Sequence, residues 1–272
     1  MPDQAEQVPY LEENLWGYGK RLKFVDDALQ RVFPGTPRRN LTVLDIGCGN
    51  GSQLAIPLAN AGYQVTAIDP HWPSIERGRS FASSVRFLHA TASALPPGTF
   101  NCVVLSEVLE HLEMPHTLLE EALPYLEKSG MLVVTVPNGY GEFELDRRIY
   151  QALHLDKLVL RVRPLFRRDS DARPIAGSDC DSPHVQRFTL RSLSKLFEQH
   201  HLQLIEARAT SLVSGPIVAH LLARYPSFIR LNAAIADRVS MPLAAGWMFL
   251  LQRPREYFTT EYKDVTQKKV SR

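Results

Sequence analysis

Cysteine, net charge and long apolar runs are all scarce in this chain. Its 272 residues include three cysteines, Cys48, Cys102 and Cys180, whose spacing fits neither a thiolate metal site nor a disulfide framework. That usage suits a reducing cytoplasm. A formal net charge of +2 is too small and too dispersed for generic binding to nucleic acid. No leader-like segment and no run of about twenty apolar residues occurs, so any membrane contact is expected to be peripheral. The absence of an internal repeat sets aside solenoids and propellers.

Hydrophobic residues make up 44% of the chain, enough for a sizeable core, and strand-like and helix-like segments alternate along most of its length. The alternation predicts one elaborated α/β domain over residues 41–253, with an N-terminal helical cap at 1–40 and a mobile polar tail at 254–272. Tyr10 to Phe33 is read as a helix over the site, with Trp16 and Tyr18 as lid aromatics.

The densest information lies in Val43-Leu44-Asp45-Ile46-Gly47-Cys48-Gly49-Asn50-Gly51-Ser52. Leu41 to Ile46 is short, apolar and partly β-branched, as a buried parallel strand is, and it runs into a glycine turn and then a helix. Gly47, Gly49 and Gly51 lack Cβ atoms, which lets backbone N–H groups approach a ligand. The next strand, Val65 to Ile68, ends in Asp69, where a carboxylate reaches the ribose hydroxyls of an adenosine. A dinucleotide fingerprint, G-x-G-x-x-G, has its third glycine where Ser52 stands here, and Asp45 precedes the first glycine. A carboxylate at that point is unfavourable beside pyrophosphate and favourable beside a cation. S-adenosylmethionine carries an ammonium and a sulfonium but no phosphate. Two blander roles stay open, a ligand-free tight loop and, for Asp45, a cap on nearby backbone N–H groups.

At these residues the chain resembles the class I S-adenosylmethionine-dependent methyltransferases. The likeness runs from about residue 40 to 140, through Val85 to His89, a loop from Thr91 to Gly98, Phe100 to Leu105, a helical Glu107 to Leu126, Met131 to Val136 and a Pro137-Asn138 turn. It implies a Rossmann-like, mostly parallel seven-stranded sheet flanked by helices, its last strand antiparallel, with helical insertions after strands 5 and 6. It also implies that Asp45, Gly47, Gly49, Gly51, Asp69, Thr91, Ala92 and Ser106 bind S-adenosyl-L-methionine. Two positions depart from the family pattern: Thr91, where an acid often holds the adenine amino group, and Asn101, in place of the acid after Phe100. Thr91 retains a hydroxyl acceptor.

Methyl transfer is an in-line displacement, and a hydroxyl acceptor must lose a proton. Glu107, Glu110 and His111 follow the fourth strand directly, and a helix starting near Ser106 would place all three on one face. Two carboxylates and an imidazole suit Mg2+ or another divalent metal, which lowers the pKa of a bound hydroxyl. The E-x-x-E-H order resembles that of two branches of the family, the ubiquinone-pathway O-methyltransferases and the small-RNA terminal 2′-O-methyltransferases. In the second branch a further histidine completes the site, and His184 lies in a comparable place here. Without a metal, His184, His111 and Glu107 are the candidate catalytic residues, with an imidazole as general base. The structural alternative is that the acids favour a helix N-terminus and the histidines pack as local anchors.

Substrate choice is expected to sit in two insertions, residues 139–183 and 215–243. The first opens with Gly139-Tyr140-Gly141-Glu142-Phe143 and continues through a helical Leu145 to Leu160. It then sets Lys157, Arg161, Arg163, Arg167, Arg168 and Arg173 against Asp169 and Asp171. An anionic partner, a lipid head group or simply a solvated loop accounts for that excess. In the second insertion Ser227 is read as capping a helix whose apolar stripe is Phe228, Leu231, Ile235 and Val239, covering the cofactor mouth or an apolar acceptor. The strand Leu202 to Ala207 precedes it, and Gly246 to Leu251 completes the sheet. The sequence thus predicts methyl transfer to a small-molecule acceptor, anionic or lipid-linked, at oxygen in preference to nitrogen or carbon. A nicotinamide-dependent oxidoreductase and a noncatalytic S-adenosylmethionine-binding protein stay open beside it.

Overall fold

Seven strands form a single sheet in the order β3-β2-β1-β4-β5-β7-β6. The computed structural model describes residues 13–154 and 184–254. Strands β1 (Thr42–Ile46), β2 (Gln64–Asp69), β3 (Val85–His89), β4 (Phe100–Ser106) and β5 (Leu126–Pro137) run parallel, while β7 (Gly246–Gln252) lies antiparallel between β5 and β6 (Gln203–Ala209). The Rossmann-like architecture and the antiparallel last strand are as predicted. Among the described residues no helix is long and apolar enough to cross a membrane.

The central strands read as unbroken apolar runs because both of their faces are covered. Side chains alternate across a strand, so Val43, Cys102, Val104, Met131, Val133, Met248 and Leu250 fill one core. Leu44, Val103, Leu105, Leu132, Val134, Trp247, Phe249 and Leu251 fill the other. Helices α1 (Tyr18–Val32), α2 (Ala55–Asn60) and α3 (Trp72–Phe81) contribute Leu22, Val25, Leu29, Leu58 and Ile75 to the first core. Helices α4 (Pro115–Ala122) and α6 (Leu190–Gln199) contribute Leu119, Leu193 and Phe197 to the second. Each fully buried leucine stabilises the fold by roughly 1.5–3 kcal/mol relative to exposure.

Several element boundaries differ from the sequence expectation. The helix expected over Glu107 to Leu126 is instead a 3-10 turn at Leu109–His111, then α4, then a second 3-10 turn at Leu123–Tyr125. Pro115 and Pro124 explain the interruptions, since each sits at the start of its helical segment, where the missing N–H costs nothing. Strand β5 accordingly begins at Leu126 rather than Met131, and β6 extends to Ala209. In the first insertion α5 spans Glu142–Ala152; its expected continuation to Leu160, the basic stretch 157–173, Cys180 and residues 255–272 lie outside the described residues. The N-terminal helix, expected from Tyr10, begins instead at Tyr18, because Gly17 adopts a left-handed φ of 74° and residues 13–17 form a turn.

The second insertion forms α7 (Pro216–Leu222) and α8 (Pro226–Ala236). Tyr225, not Ser227, occupies the N-cap of α8, and its buried face is Ile229, Asn232, Ala233 and Ala236, with Leu231 57% exposed. Asn232 sets that orientation. Its carboxamide accepts from the Leu212 and Val213 N–H groups at 3.2 and 3.0 Å and donates to the Val213 carbonyl at 2.8 Å. The two insertions also clasp each other: Glu142 accepts from the Ser214 N–H at 2.9 Å, and Asp146 accepts from those of Ile217 at 2.9 Å and Val218 at 3.3 Å. These α5 carboxylates satisfy N–H groups at the start of α7 that have no intrahelical partner.

Candidate active site

The glycine turn crosses the end of β2, with the Gly47 and Cys48 N–H groups both donating to the Ile68 carbonyl at 2.8 and 3.1 Å. Gly47 has φ 74°, and a Cβ there would meet Val108 at 2.5 Å, so both conformation and space demand glycine. Gly51 is required for another reason than the one expected. It packs against the Phe87 ring, and it does not line the cavity that Gly47, Cys48 and Gly49 border. Asp69, at the tip of β2, accepts from the Gly49 N–H at 2.9 Å and the His71 N–H at 2.8 Å, which fixes its carboxylate beside the turn.

Two adjoining cavities flank this turn. The larger, of about 500 Å3, is bordered by Asp45, Gly47, Gly49, Asp69, Ser106, Glu107, Glu110, His111 and His184, with Trp16, Tyr18 and Arg21 on the side of α1. The smaller, of about 370 Å3, shares Gly47, Pro70, Val108 and Leu112 with it and is bordered by Thr91, Ala92 and Met114. Every predicted cofactor residue except Gly51 therefore borders one cavity or the other.

The larger cavity is rich in buried acid. Asp45 is 3% exposed, and burial, then the nearby Asp69 charge, push its carboxyl up to about 7 against the opposing influence of Arg21. Glu110 is 1% exposed and is raised well above the usual carboxylate range, first by burial and then by Glu107. Burial likewise holds the Cys48 thiol protonated.

Arg21 was not anticipated from the sequence. It is 2% exposed, with Nη2 3.3 Å from Glu107 Oε1 and its guanidinium 5.3 Å from the Tyr18 ring centroid. Its buried Nε and Nη1 have no hydrogen-bond partner among the described residues. The signal was present: Arg21 falls on the buried stripe of α1 formed by Phe24, Val25, Ala28 and Leu29, at spacings of three, four, seven and eight residues. A charge on a core-facing stripe is a candidate for a site.

The residues of Glu107-x-x-Glu110-His111 are arranged by a turn rather than by a helical face. Glu107 adopts φ 55°, and its N–H donates to the Thr135 carbonyl at 2.9 Å. Thr135 Oγ1 donates to Glu107 Oε1 at 2.8 Å and lies 3.1 Å from Ser106 Oγ. Glu107 is thereby directed to Arg21. Glu110, His111 and His184 instead converge, each offering a ligand atom within 4.8 Å of the others. The His111 and His184 rings meet edge to face at 5.0 Å, and Phe143 stacks on His184 at 6.0 Å. The chain after His184 is pinned because the Val185 and Gln186 N–H groups both donate to the Glu110 carbonyl at 2.9 Å. Asn138 of the Pro-Asn turn donates to the carbonyls of Pro242 and Ala244 at 2.9 Å, tying the end of β5 to the second insertion.

Residues 18–207 match the model of a methyltransferase domain. The ubiquinone biosynthesis O-methyltransferase of Rickettsia felis is 32% identical over 103 residues, covering 36% of this chain and 42% of that protein. Its counterpart in Caulobacter vibrioides is 35% identical over 109 residues, covering 38% and 43%. The chain thus spans less than half the length of these relatives. Among solved structures, a plantazolicin methyltransferase in complex with a substrate analog and SAH superposes with a TM-score of 0.55 at 16% identity, covering 88% of this chain and 85% of that one. Magnesium protoporphyrin IX methyltransferase from Synechocystis PCC 6803 with bound SAH gives 0.51 at 14% identity, covering 86% and 83%. At such identity the likeness is one of fold. The family match extends over most of the chain and includes the acid-flanked glycine turn and Asp69; by it the chain belongs to the methyltransferase-domain family, the class I S-adenosylmethionine-dependent enzymes.

Proposed function

We propose that this domain transfers the methyl group of S-adenosylmethionine to a hydroxyl of a small, partly apolar acceptor. The donor's charged end lies in the larger cavity, its ammonium toward Asp45 and its carboxylate toward Arg21. Asp69 accepts from the ribose hydroxyls, Gly47 and Gly49 permit close backbone approach, and the adenine occupies the apolar cavity beside Thr91 and Ala92. Ser106 borders the donor at the end of β4.

The observation that carries the oxygen assignment is the convergence of Glu110, His111 and His184 on the donor cavity. One carboxylate and two imidazoles fit a divalent ion such as Mg2+, and the buried Glu110 Oε2 has no hydrogen-bond partner among the described residues. When bound, such an ion supplies a Lewis acid that lowers the pKa of an acceptor hydroxyl. In its absence an imidazole of His111 or His184 takes the acceptor proton, and Glu107 adds negative charge nearby. The ubiquinone relatives support a hydroxyl acceptor by their names alone. Leu145 and Ile149 on α5 and Leu153 just after it are exposed, the Phe143 ring of α5 stacks on His184, and they support an acceptor with an apolar part, drawn from solution or a membrane surface.

Mass spectrometry of an extract incubated with the protein and a deuteromethyl-labelled donor tests the assignment directly. The expected product carries the heavy methyl on oxygen; a label on nitrogen or carbon would overturn it. Turnover by metal-free protein in excess chelator should be lost and restored by a divalent cation. Full activity under chelation would leave the histidines as the only bases.

A further inference from the structure

The last torsion of a histidine side chain is broad and roughly two-fold, so the direction of its ring nitrogens depends on what packs against the ring. Two aromatic neighbours meet His184. Phe143 lies against its face, with centroids 6.0 Å apart and planes at 29°, and His111 meets it edge to face at 5.0 Å and 76°. The main chain after His184 is fixed separately. The Val185 and Gln186 N–H groups donate to the Glu110 carbonyl, Gln186 Nε2 donates to the Glu113 carbonyl at 2.9 Å, and the Gly139 N–H donates to the Phe188 carbonyl at 3.1 Å. None of these bonds engages the imidazole.

Phe143 belongs to α5, and α5 is held from its other side. Glu142 accepts from the Ser214 and Gly215 N–H groups at 2.9 and 3.4 Å, and Asp146, one turn further on, accepts from those of Ile217 and Val218 at 2.9 and 3.3 Å. The fit is close. A Cβ on Gly215 would overlap the Asp146 carboxylate, although the backbone there is ordinary, with φ −64° and ψ 163°. Space, and not conformation, therefore demands glycine at this position. We propose that Phe143 is a positioning residue for His184, kept in place by the clasp between α5 and α7. A change at Gly215 or Asp146, neither of which borders the donor cavity, is then felt at the histidine ring. This inference rests on the reading above that His184 serves the acceptor hydroxyl.

Proton NOEs between the His111 and His184 rings, measured on the metal-free full chain with isotope-labelled histidine, read this arrangement without any turnover. The unaltered protein should give a strong cross-peak. Phe143→Leu keeps an apolar contact but removes the flat ring and should weaken the cross-peak severalfold, while Phe143→Tyr should restore it. Gly215→Ala should weaken it too, although it acts from the far side of α5. Unchanged affinity for S-adenosylhomocysteine reports that each variant is folded around an intact donor site. Heavy-methyl incorporation from a deuteromethyl-labelled donor into an extract should fall by roughly ten- to a hundredfold in Phe143→Leu, the scale on which a misplaced reacting group is felt, and should return in Phe143→Tyr. A full-strength cross-peak or unchanged incorporation in Phe143→Leu overturns the positioning role. A full-strength cross-peak in Gly215→Ala overturns the relay through the clasp. Full incorporation by His184→Gln would overturn the reading of His184 itself, whatever the two rings do.

Discussion

Asp45 makes donor binding respond to pH. An acid raised from 3.8 to about 7 keeps its proton in the folded protein over a range where the unfolded chain has lost it. The free protein therefore loses stability from this group as pH rises through that window. A cationic donor reverses the preference by favouring the carboxylate. Below pH of about 7, donor binding should expel a proton, and affinity should fall roughly tenfold per pH unit. Calorimetry in buffers of differing ionisation enthalpy reads that proton. Asp45→Asn should flatten the slope and weaken binding at higher pH; an unaltered slope would assign the titration to Glu110, which burial raises in the same cavity. Gly47→Val meets both an unfavourable φ and the Val108 side chain, so it should weaken the donor by tenfold or more, on the scale of roughly 1–2 kcal/mol of left-handed strain. Unchanged donor affinity in that variant would show that the turn does not meet the ligand. At this scale the sequence was most legible where a residue has one use: Asp69 at a strand tip and Gly47 at a crowded left-handed turn were readable. Arg21 was not, because its importance depends on which residues surround it.

Among the elements, one polar side chain bears more of the architecture than its residue type suggests. Asn232 makes three hydrogen bonds to the segment before α7, and Asn232→Ala should cost roughly 2–4 kcal/mol in denaturant unfolding by removing them. A change below about 0.5 kcal/mol would mean that solvent replaces the carboxamide. That same residue explains why the stripe expected on α8 was rotated: periodicity identifies a helix but not which polar residue has a buried partner. The interrupted helix after β4 has a comparable cause. Hydrophobic spacing there is continuous, yet Pro115 and Pro124 restart it twice, and the left-handed Glu107 turns the chain before any helix begins. Of the expected group Glu107, Glu110, His111 and His184, the last three converge, brought together by a turn and the docking of residues 184–186 in place of a helical face, while Glu107 is turned to Arg21.

At the scale of the molecule, the sheet was legible almost strand by strand because parallel strands covered on both faces must be apolar throughout and must alternate with helices. Membership of a methyltransferase-domain family sets aside the nicotinamide-dependent reading. What the order of elements could not convey is how two insertions separated by a helix and a strand meet. Asp146→Ala should raise amide exchange in residues 216–222 while leaving β1 and β4 protected, and equal protection would show that α7 is held by its apolar contacts alone. Because carboxylates on α5 hold the start of α7, neither insertion is independent of the other. An acceptor preference acquired by altering one of them has to be accommodated by its mate, and a chimera that exchanges a single insertion between homologues would lose the clasp along with the preference it was meant to carry.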